Sequence, residues 1–273
     1  MSISNTSPLG KPVGYVGRYD RALLHSMPRA EGRARLGLDA ALPFTGFDVW
    51  NAYELSWLDL RGKPDVALAT FLVSADTPAI VESKSLKLYL NSFAQTPFVG
   101  VEAVREAIAR DLARAFGGPV AVTLKGRAAS ATERIADLAG ECIDDLDVAI
   151  DRYTPDPSLL SASGGIVEET LVSNLLRSNC PVTGQPDWGS VQVHYRGPRI
   201  ERAGLLRYIV SFRAHQDFHE HCVERMFVDL MTRTASDRLS VYARYTRRGG
   251  IDINPFRSNF ETVLPANVRT PRQ

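Results

Sequence analysis

A cysteine and an aspartate stand seven residues apart in the stretch SNCPVTGQPDWGS, at positions 178–190. Pro181 favours an extended backbone at Cys180, and the glycines and second proline that follow are typical of a turn. A turn can fold Asp187 back toward Cys180, which would pair a nucleophile with a proton donor. The alternative is that Cys180 is a small buried hydrophobic residue, because free cysteine is among the most buried residue types.

A second chemical interpretation uses the stretch HEHC further along the chain. On a helix, His219 and Cys222 would share a face, as residues i and i+3 do. Together with Cys180 they could form a three-ligand catalytic zinc site, although the spacing matches no standard zinc motif. His221 would point away from that face. We predict that His221 and His215 lie on a solvated helix face.

Three further polar stretches admit both a functional and a plain structural interpretation. Glu220 lies near a predicted helix start, where an acidic residue is electrostatically favourable whether or not it binds a ligand. Ser83 and Lys84 could be an ordinary helix entry with Ser83 as the N-cap. The stretch RRGGIDINP, at 247–255, suits a phosphate but equally suits a surface turn. The sequence contains no GxGxxG or Walker motif, so Rossmann and P-loop nucleotide binding have no support.

The composition indicates a globular enzyme-sized chain and excludes several classes of partner. The protein has 273 residues, 44% of them hydrophobic, with a net charge of +1. A near-neutral charge predicts no nucleic-acid or membrane-binding surface. The first residues lack the apolar segment of a secretory signal, and no apolar run approaches the length of a membrane span. Three cysteines are too few for a disulfide framework, so we expect a cytoplasmic protein.

The pattern of apolar residues predicts the elements that must position these side chains. Residues 1–45 are expected to be an extended N-terminal arm, and residues 151–165 to be a linker, because both are rich in turn-forming residues. Helices are predicted from 83 to 95, from 101 to 116, from 201 to 216 and from 219 to 233. Strands are predicted at 65–74, 119–124, 167–178, 189–197 and 238–246.

The two halves of the chain repeat one pattern at an offset of 119 residues. The repeat pairs Glu82, Leu86, Tyr89, Ser92 and Phe93 with Glu201, Leu205, Tyr208, Ser211 and Phe212. The same offset pairs Val104 with Val223 and Ile108 with Phe227. We therefore predict an α+β protein of two antiparallel modules, 1–150 and 151–273.

The polar residues are not repeated. At this offset HEHC matches GVEA, which has neither histidine nor cysteine, and the cysteine–aspartate loop occurs only in the second half. We therefore expect any site to lie between the two modules. The residues alone leave three hypotheses open: a thiol enzyme, a zinc-dependent hydrolase and a binding module without catalysis.

Four stretches resemble the NADPH-dependent 7-cyano-7-deazaguanine reductases, the nitrile reductases of queuosine biosynthesis. They are VESKSLKLYLNSF, SNCPVTGQPDWGSVQVHY, FHEHCVERMFVDL and RRGGIDINPFR. A fifth, LPFTGFDVWNAYELSWLDLRGKP, resembles the long two-module type of this family. The resemblance covers nearly the whole chain.

The resemblance implies a fold, a reaction and a set of site residues. It implies two tandem tunnelling-fold (T-fold) modules, each an antiparallel four-stranded sheet with two helices, in a homodimer without catalytic zinc. Cys180 would attack the nitrile of 7-cyano-7-deazaguanine to form a thioimide, Asp187 would donate the proton, and two NADPH would be consumed. Because a carboxyl group can donate only when it is protonated, this role requires Asp187 to be buried.

The remaining roles also come from the resemblance. The residues that would bind the deazaguanine are Val81, Glu82, Ser83, His219 and Glu220. The residues that would bind NADPH are Ser83, Lys84, Arg248 and Gly249.

Overall fold

The computed structural model describes residues 14–38, 41–126 and 134–273, which form two compact units. Unit 1 comprises the described parts of Met1–Gly32, Val49–Glu133 and Arg247–Asp252. Unit 2 comprises the described parts of Arg33–Asp48, Arg134–Thr246 and Ile253–Gln273. Each unit is thus assembled from separate segments of the chain. The modules at 1–150 and 151–273 stay a prediction about how the sequence is organised.

Unit 1 contains a sheet, a two-stranded ribbon and two long helices. In the described residues its sheet has the order β5-β3-β2, with the first residues of β10 beside β2, and β1 pairs with β4 in the ribbon. The elements are β1 (Ser26–Pro28), α1 (Arg29–Ala34), β2 (Thr45–Leu58), β3 (Pro64–Ser74), β4 (Ala79–Val81), α2 (Ser83–Ser92), α3 (Val101–Phe116) and β5 (Val120–Gly126). Helix α1 and strand β2 each have part of their length in unit 2.

The apolar pattern of unit 1 explains why its main elements form. Strand β3 buries alternate residues from Ala67 to Val73, as a strand with one face on a core should. Helix α3 buries Val104, Ile108 and Leu112 on one stripe. Gly117 ends α3 in the left-handed conformation, with φ of 77°. The predicted strand at 65–74 and the predicted helix at 101–116 are confirmed.

Unit 2 contains a sheet and two helices of its own. In the described residues its strand order is β10-β9-β8-β7-β6, antiparallel except for the short parallel pair of β6 with β7. The elements are β6 (Glu141–Cys142), β7 (Ala162–Asn179), β8 (Pro186–Ile200), α4 (Arg202–Ser211), α5 (His219–Thr234), β9 (Arg238–Tyr245) and β10 (Ile251–Ser258). Both predicted helices of this half are confirmed. The two units together show a mixed α+β fold.

The first helix of each unit begins in the same way, which confirms the predicted repeat. The Glu82 carboxylate caps α2 by accepting hydrogen bonds from the backbone N–H groups of residues 84 and 85. The Glu201 carboxylate caps α4 through residues 203 and 204. Near the end of each helix, Ser92 and Ser211 donate to the tyrosine carbonyl three residues earlier, each at 2.6 Å.

The second helix of each unit corrects the predicted alignment by one residue. Tyr89 donates a hydrogen bond to Asp111, and Tyr208 donates one to Asp229, so the aspartates are 118 residues apart while the tyrosines are 119 apart. Helices α3 and α5 also begin 118 residues apart, at positions 101 and 219. The pairings of Val104 with Val223 and of Ile108 with Phe227 are therefore wrong. HEHC aligns with VEAV, which likewise lacks histidine and cysteine.

Several predicted boundaries also need correction. The expected arm at 1–45 contains the short elements β1 and α1 in its described part, and β2 begins at Thr45. The expected linker at 151–165 contains a single helical turn, Pro157–Leu159, and the start of β7. Strands β2 and β10 were not predicted from the pattern. Among the described residues, no helix is long and apolar enough to cross a membrane.

Candidate functional site

Cys180 lies at the first position after β7, in the loop that joins β7 to β8. The Cys180 N–H donates to the Gln185 carbonyl at 2.9 Å, and the Gly184 N–H donates to the Cys180 carbonyl at 3.0 Å. These bonds close a compact turn in which Gly184 takes the left-handed conformation, with φ of 67°. Cys180 is only 5% exposed. The predicted loop is confirmed, and its thiol is largely removed from bulk water.

Asp187 lies near this loop but belongs to a strand, contrary to the expectation that it would sit in the turn. It is the second residue of β8 and pairs in register with Ser178 of β7. Asp187 is 8% exposed, as a proton-donor role requires. The carboxylate Oδ2 lies 3.4 Å from Nε2 of His219 at the start of α5. The structure therefore brings together Asp187 and His219, two of the predicted site residues.

His219 is held in place by an aromatic ring that the sequence did not reveal. Its imidazole stacks on Tyr245 of β9, with ring centroids 3.8 Å apart and planes inclined by 6°. His219 Nδ1 is buried and has no hydrogen-bond partner among the described residues. A buried polar atom without a partner is costly, so this nitrogen suits a ligand group. Glu220, the next residue, is buried in the first turn of α5.

The predicted zinc site gains no support from the geometry. Cys222 is fully buried, and burial raises the pKa of its thiol, which disfavours the thiolate that zinc requires. In the described part of the chain, no group of three histidine, cysteine, aspartate or glutamate side chains could hold a metal ion.

His221 corrects the expectation of a solvated helix face. Its side chain is 5% exposed, and Nδ1 lies 3.1 Å from Oδ1 of Asp217, which also accepts a hydrogen bond from the Phe218 N–H. Burial alone would raise the pKa of Asp217, but the bond from His221 and the charges of His221 and Arg35 lower it. Burial lowers the pKa of His215, which is also partly enclosed. The sequence analysis did not consider Asp217, although it lies just before α5, the helix that carries His219 and His221.

The predicted substrate residues of unit 1 surround the start of α2. Val81 is the last residue of β4 and is buried, and Glu82 follows it as the cap of α2. The prediction that Ser83 is the N-cap is therefore wrong, because Ser83 is the first helical residue. The buried Glu82 carboxylate accepts from the Lys84 N–H at 2.6 Å and from the Ser85 N–H at 2.9 Å. Each carboxylate oxygen can accept one more bond.

The predicted cofactor residues Arg248 and Gly249 lie in a tight turn of unit 1. The Arg248 N–H donates to the Ile251 carbonyl at 2.9 Å, and Gly249 and Gly250 both have positive φ, 59° and 74°. These angles are those of a type I′ turn. A Cβ at Gly249 would lie 3.1 Å from Cδ of Lys87, so this turn passes directly over α2.

A solvent-open cleft of about 330 Å³ lies beside the turn in unit 1. The lining residues include Glu54, Lys87, Asn91, Gly249 and Gly250. Gly249 is exposed, whereas Gly250 is buried against Glu54. The exposed backbone at Gly249 and the lysine on the wall fit a phosphate-bearing group such as part of NADPH, since both are typical anion ligands. This pocket contains Gly249 but neither Ser83 nor Lys84 among its lining residues.

The predicted site residues divide between the two units. Unit 2 carries the Cys180 loop, Asp187, His219 and Glu220, whereas unit 1 carries the α2 start and the glycine turn. That both sets form one site stays a prediction.

Comparison with known proteins identifies the family. Two family models match, one described as "Nitrile reductase, 7-cyano-7-deazaguanine-reductase N-term" over residues 15–124 and one described as "QueF-like protein" over residues 186–263. A curated relative from Bordetella pertussis, named NADPH-dependent 7-cyano-7-deazaguanine reductase, is 60% identical over 274 residues and covers 100% of both chains. A relative of the same name from Burkholderia orbicola is 59% identical and covers 98% of both.

A solved structure, titled as the archaeosine synthase QueF-Like in the apo form, aligns with 38% of this chain and 99% of its own. Its TM-score is 0.31 and its identity 15%, a likeness too weak to support a conclusion. The sequence relatives suffice, and they confirm the resemblance stated from the motifs. The chain belongs to the NADPH-dependent 7-cyano-7-deazaguanine reductases, a family of oxidoreductases.

Proposed function

We propose that this protein reduces the nitrile of 7-cyano-7-deazaguanine to a primary amine through a covalent bond to Cys180. The observation that carries the proposal is local to unit 2. The hairpin that presents a buried cysteine also holds the Asp187 carboxylate 3.4 Å from the His219 imidazole. A nucleophile carried by the same hairpin as an acid that is paired with an imidazole suits covalent catalysis.

Cys180 performs the first step of the proposed mechanism. A nitrile is a poor hydride acceptor, so attack by sulfur first converts one difficult step into two easier ones. The sulfur–carbon bond forms as one carbon–nitrogen π bond breaks, and the thiol proton passes to solvent, from which the sulfur recovers a proton when the sulfur–carbon bond later breaks. The product is a thioimide whose nitrogen must take up a proton.

Asp187 supplies that proton, and His219 positions the Asp187 carboxyl group. As a buried residue of β8, Asp187 has its backbone fixed by strand pairing with Ser178. The ring of His219 is fixed in turn by stacking on Tyr245. Such rigid support keeps an acid within hydrogen-bond reach of the reacting atom. After the sulfur–carbon bond breaks, a second proton is needed to complete the amine, and the same pair can deliver it.

Recognition of the deazaguanine falls to acidic residues at two helix starts. A guanine-like edge presents N–H donors, which a carboxylate accepts in pairs. Glu82 and Glu220 are both buried at such positions, in unit 1 and unit 2 respectively. Val81, Ser83 and His219 complete the proposed substrate contacts.

NADPH supplies the two hydrides when it is bound. Lys84 and Arg248 would meet its phosphates, Ser83 would add a hydroxyl, and Gly249 would let the backbone approach closely. These residues take the place of the glycine-rich fingerprint that the sequence lacks. Their role is to bind and orient the cofactor.

The assembly and location of the enzyme complete the proposal. Each half would be a T-fold module, and two chains would form a homodimer in the cytoplasm. Among the described strands, β5 and β6 are edge strands. Edge strands carry unpaired backbone groups, which favour pairing with a second chain. A zinc-dependent purine or pterin hydrolase on the same fold remains the alternative.

A turnover experiment separates these functions. Purified protein is mixed with the nitrile and NADPH, with and without a chelator, and product and oxidised cofactor are counted. The proposal expects two NADPH consumed for each amine formed and no effect of the chelator. Absence of amine and of NADPH oxidation, together with tightly held stoichiometric zinc, would instead support the hydrolase.

A further inference from the structure

Three arginines of unit 2 surround one tryptophan ring. The guanidinium carbons of Arg177, Arg213 and Arg272 lie 5.3, 5.3 and 5.7 Å from the Trp188 ring centroid. Arg177 faces Trp188 across the β7–β8 hairpin. Arg213 belongs to the short turn that follows α4, and Arg272 lies in the C-terminal segment. These four residues are called the Trp188 arginine cluster below.

Within the described ranges, no acidic side chain forms an ion pair with the cluster. No ion pair joins any of the three arginines to a residue in the part of the chain that the structure describes. The ring face attracts each cation, but like charges held around one ring repel one another. An anion bound among the three guanidinium groups would relieve that repulsion.

The arginines are held in place, and much of their donor capacity is unused. Arg177 donates to Asn179 Oδ1 at 3.1 Å, and Arg272 donates to the Asn174 carbonyl at 2.6 Å. The amide of Asn179 also donates to the Arg213 carbonyl at 3.3 Å. The Nε of Arg177 is buried and has no hydrogen-bond partner among the described residues.

The geometry favours a tetrahedral anion over a carboxylate. One guanidinium group matches the two oxygens of a carboxylate, whereas a phosphate offers enough acceptor oxygens for several groups at once. Three guanidinium groups around one ring together offer more donors than a single carboxylate can accept, which favours a phosphate.

The cluster is separate from the proposed catalytic pair. Side chains of adjacent strand residues point to opposite faces of a sheet. Trp188 therefore lies on the face opposite Asp187, and Arg177 on the face opposite Ser178. We propose that the Trp188 arginine cluster is a second anion site, which binds a phosphoryl group carried by free phosphate or by a nucleotide.

The test is ligand binding by the full-length protein. Thermal melting and tryptophan fluorescence are followed during titration with inorganic phosphate and with adenosine 2′,5′-bisphosphate, each compared with sodium chloride at equal ionic strength. We expect saturable responses to the phosphates alone. Arg213→Gln should weaken binding by about tenfold or more, the effect of losing charge-assisted hydrogen bonds. If the bisphosphate binds more tightly than phosphate and Arg213→Gln removes that advantage, the ligand of the cluster is a nucleotide. If the two bind equally tightly, the ligand is free phosphate.

Two control variants show whether the responses come from the Trp188 arginine cluster. Arg233→Gln removes an exposed arginine from the last turn of α5 and should bind like the wild type. Trp188→Phe should lose the fluorescence change, because Trp50 and Trp57 are buried in unit 1. If phosphate acts no differently from chloride, or if Arg213→Gln binds as tightly as the wild type, the proposed site is wrong.

Discussion

The repeat provides a matched pair of substitutions that separates substrate recognition from helix capping. Glu82 and Glu201 cap α2 and α4 through equivalent pairs of backbone bonds, of 2.6 and 2.9 Å at Glu82 and of 2.9 and 2.6 Å at Glu201. Of these two residues, only Glu82 is proposed to bind the deazaguanine. Glu82→Gln and Glu201→Gln should therefore both weaken a helix cap, at a buried and an exposed position respectively, and should have different effects on binding.

The magnitudes follow from the bonds that are lost. A glutamine keeps one acceptor oxygen, so each variant should lose about 1 kcal/mol of capping energy, within the usual range for N-caps. For a chain of this size that corresponds to a melting temperature lower by roughly 2–4 °C. Charge-assisted bonds to the substrate contribute about 1.5–3 kcal/mol, so Glu82→Gln should also weaken substrate binding by roughly 10- to 150-fold.

The assay is calorimetric titration with 7-cyano-7-deazaguanine. Both substitutions are made in a Cys180→Ala background, so that no covalent bond forms during the measurement. Glu201→Gln should bind like its parent. If Glu82→Gln binds the substrate as tightly as its Cys180→Ala parent, Glu82 acts only as a helix cap. Equal loss of binding in both variants would assign the effect to general destabilisation.

Three further predictions concern unit 2. Asp187→Asn should bind substrate yet turn over about 10²- to 10⁴-fold more slowly, the usual worth of a general acid, and a wild-type rate would remove that role. Glu224→Gln leaves the buried guanidinium groups of Arg33 and Arg257 without their shared carboxylate. Denaturant unfolding should therefore show a free energy of unfolding lower by about 3–5 kcal/mol, and an unchanged value would contradict this prediction. Burial lowers the pKa of His215 in the folded protein, so as the pH falls the unfolded chain binds a proton at His215 before the folded protein does. The free energy of unfolding should therefore decrease as the pH drops below about 6.5. In His215→Gln that part of the fall should disappear; an identical pH profile would refute the assignment.

The elements predicted best from the sequence were those whose apolar spacing matches their burial. Helix α3 has one buried stripe and a glycine stop, and both signals are local. Strand β10 was missed because all eight of its residues are buried, including Asp252, Asn254 and Arg257. Their partners include Asn51 and Tyr53 for Asp252, and contacts with residues so distant in the chain leave no local pattern.

The candidate site shows the same limit. The turn chemistry around Cys180 was visible because proline and glycine act within a few residues. Tyr245 was not predicted, because its stacking on His219 joins β9 to the start of α5. The one-residue change of offset between the two helix pairs was equally hidden, since both alignments place apolar residues together. The tyrosine–aspartate bonds reveal it.

The most direct test of the proposed chemistry is the mass of the protein after mixing with 7-cyano-7-deazaguanine in the absence of NADPH. We predict a single covalent adduct of one substrate mass, located on Cys180 by peptide mapping and missing in Cys180→Ala. Cys142→Ala, which removes the exposed cysteine, should form the adduct normally. An unmodified wild-type protein that still reduces the nitrile when NADPH is added would contradict the covalent mechanism.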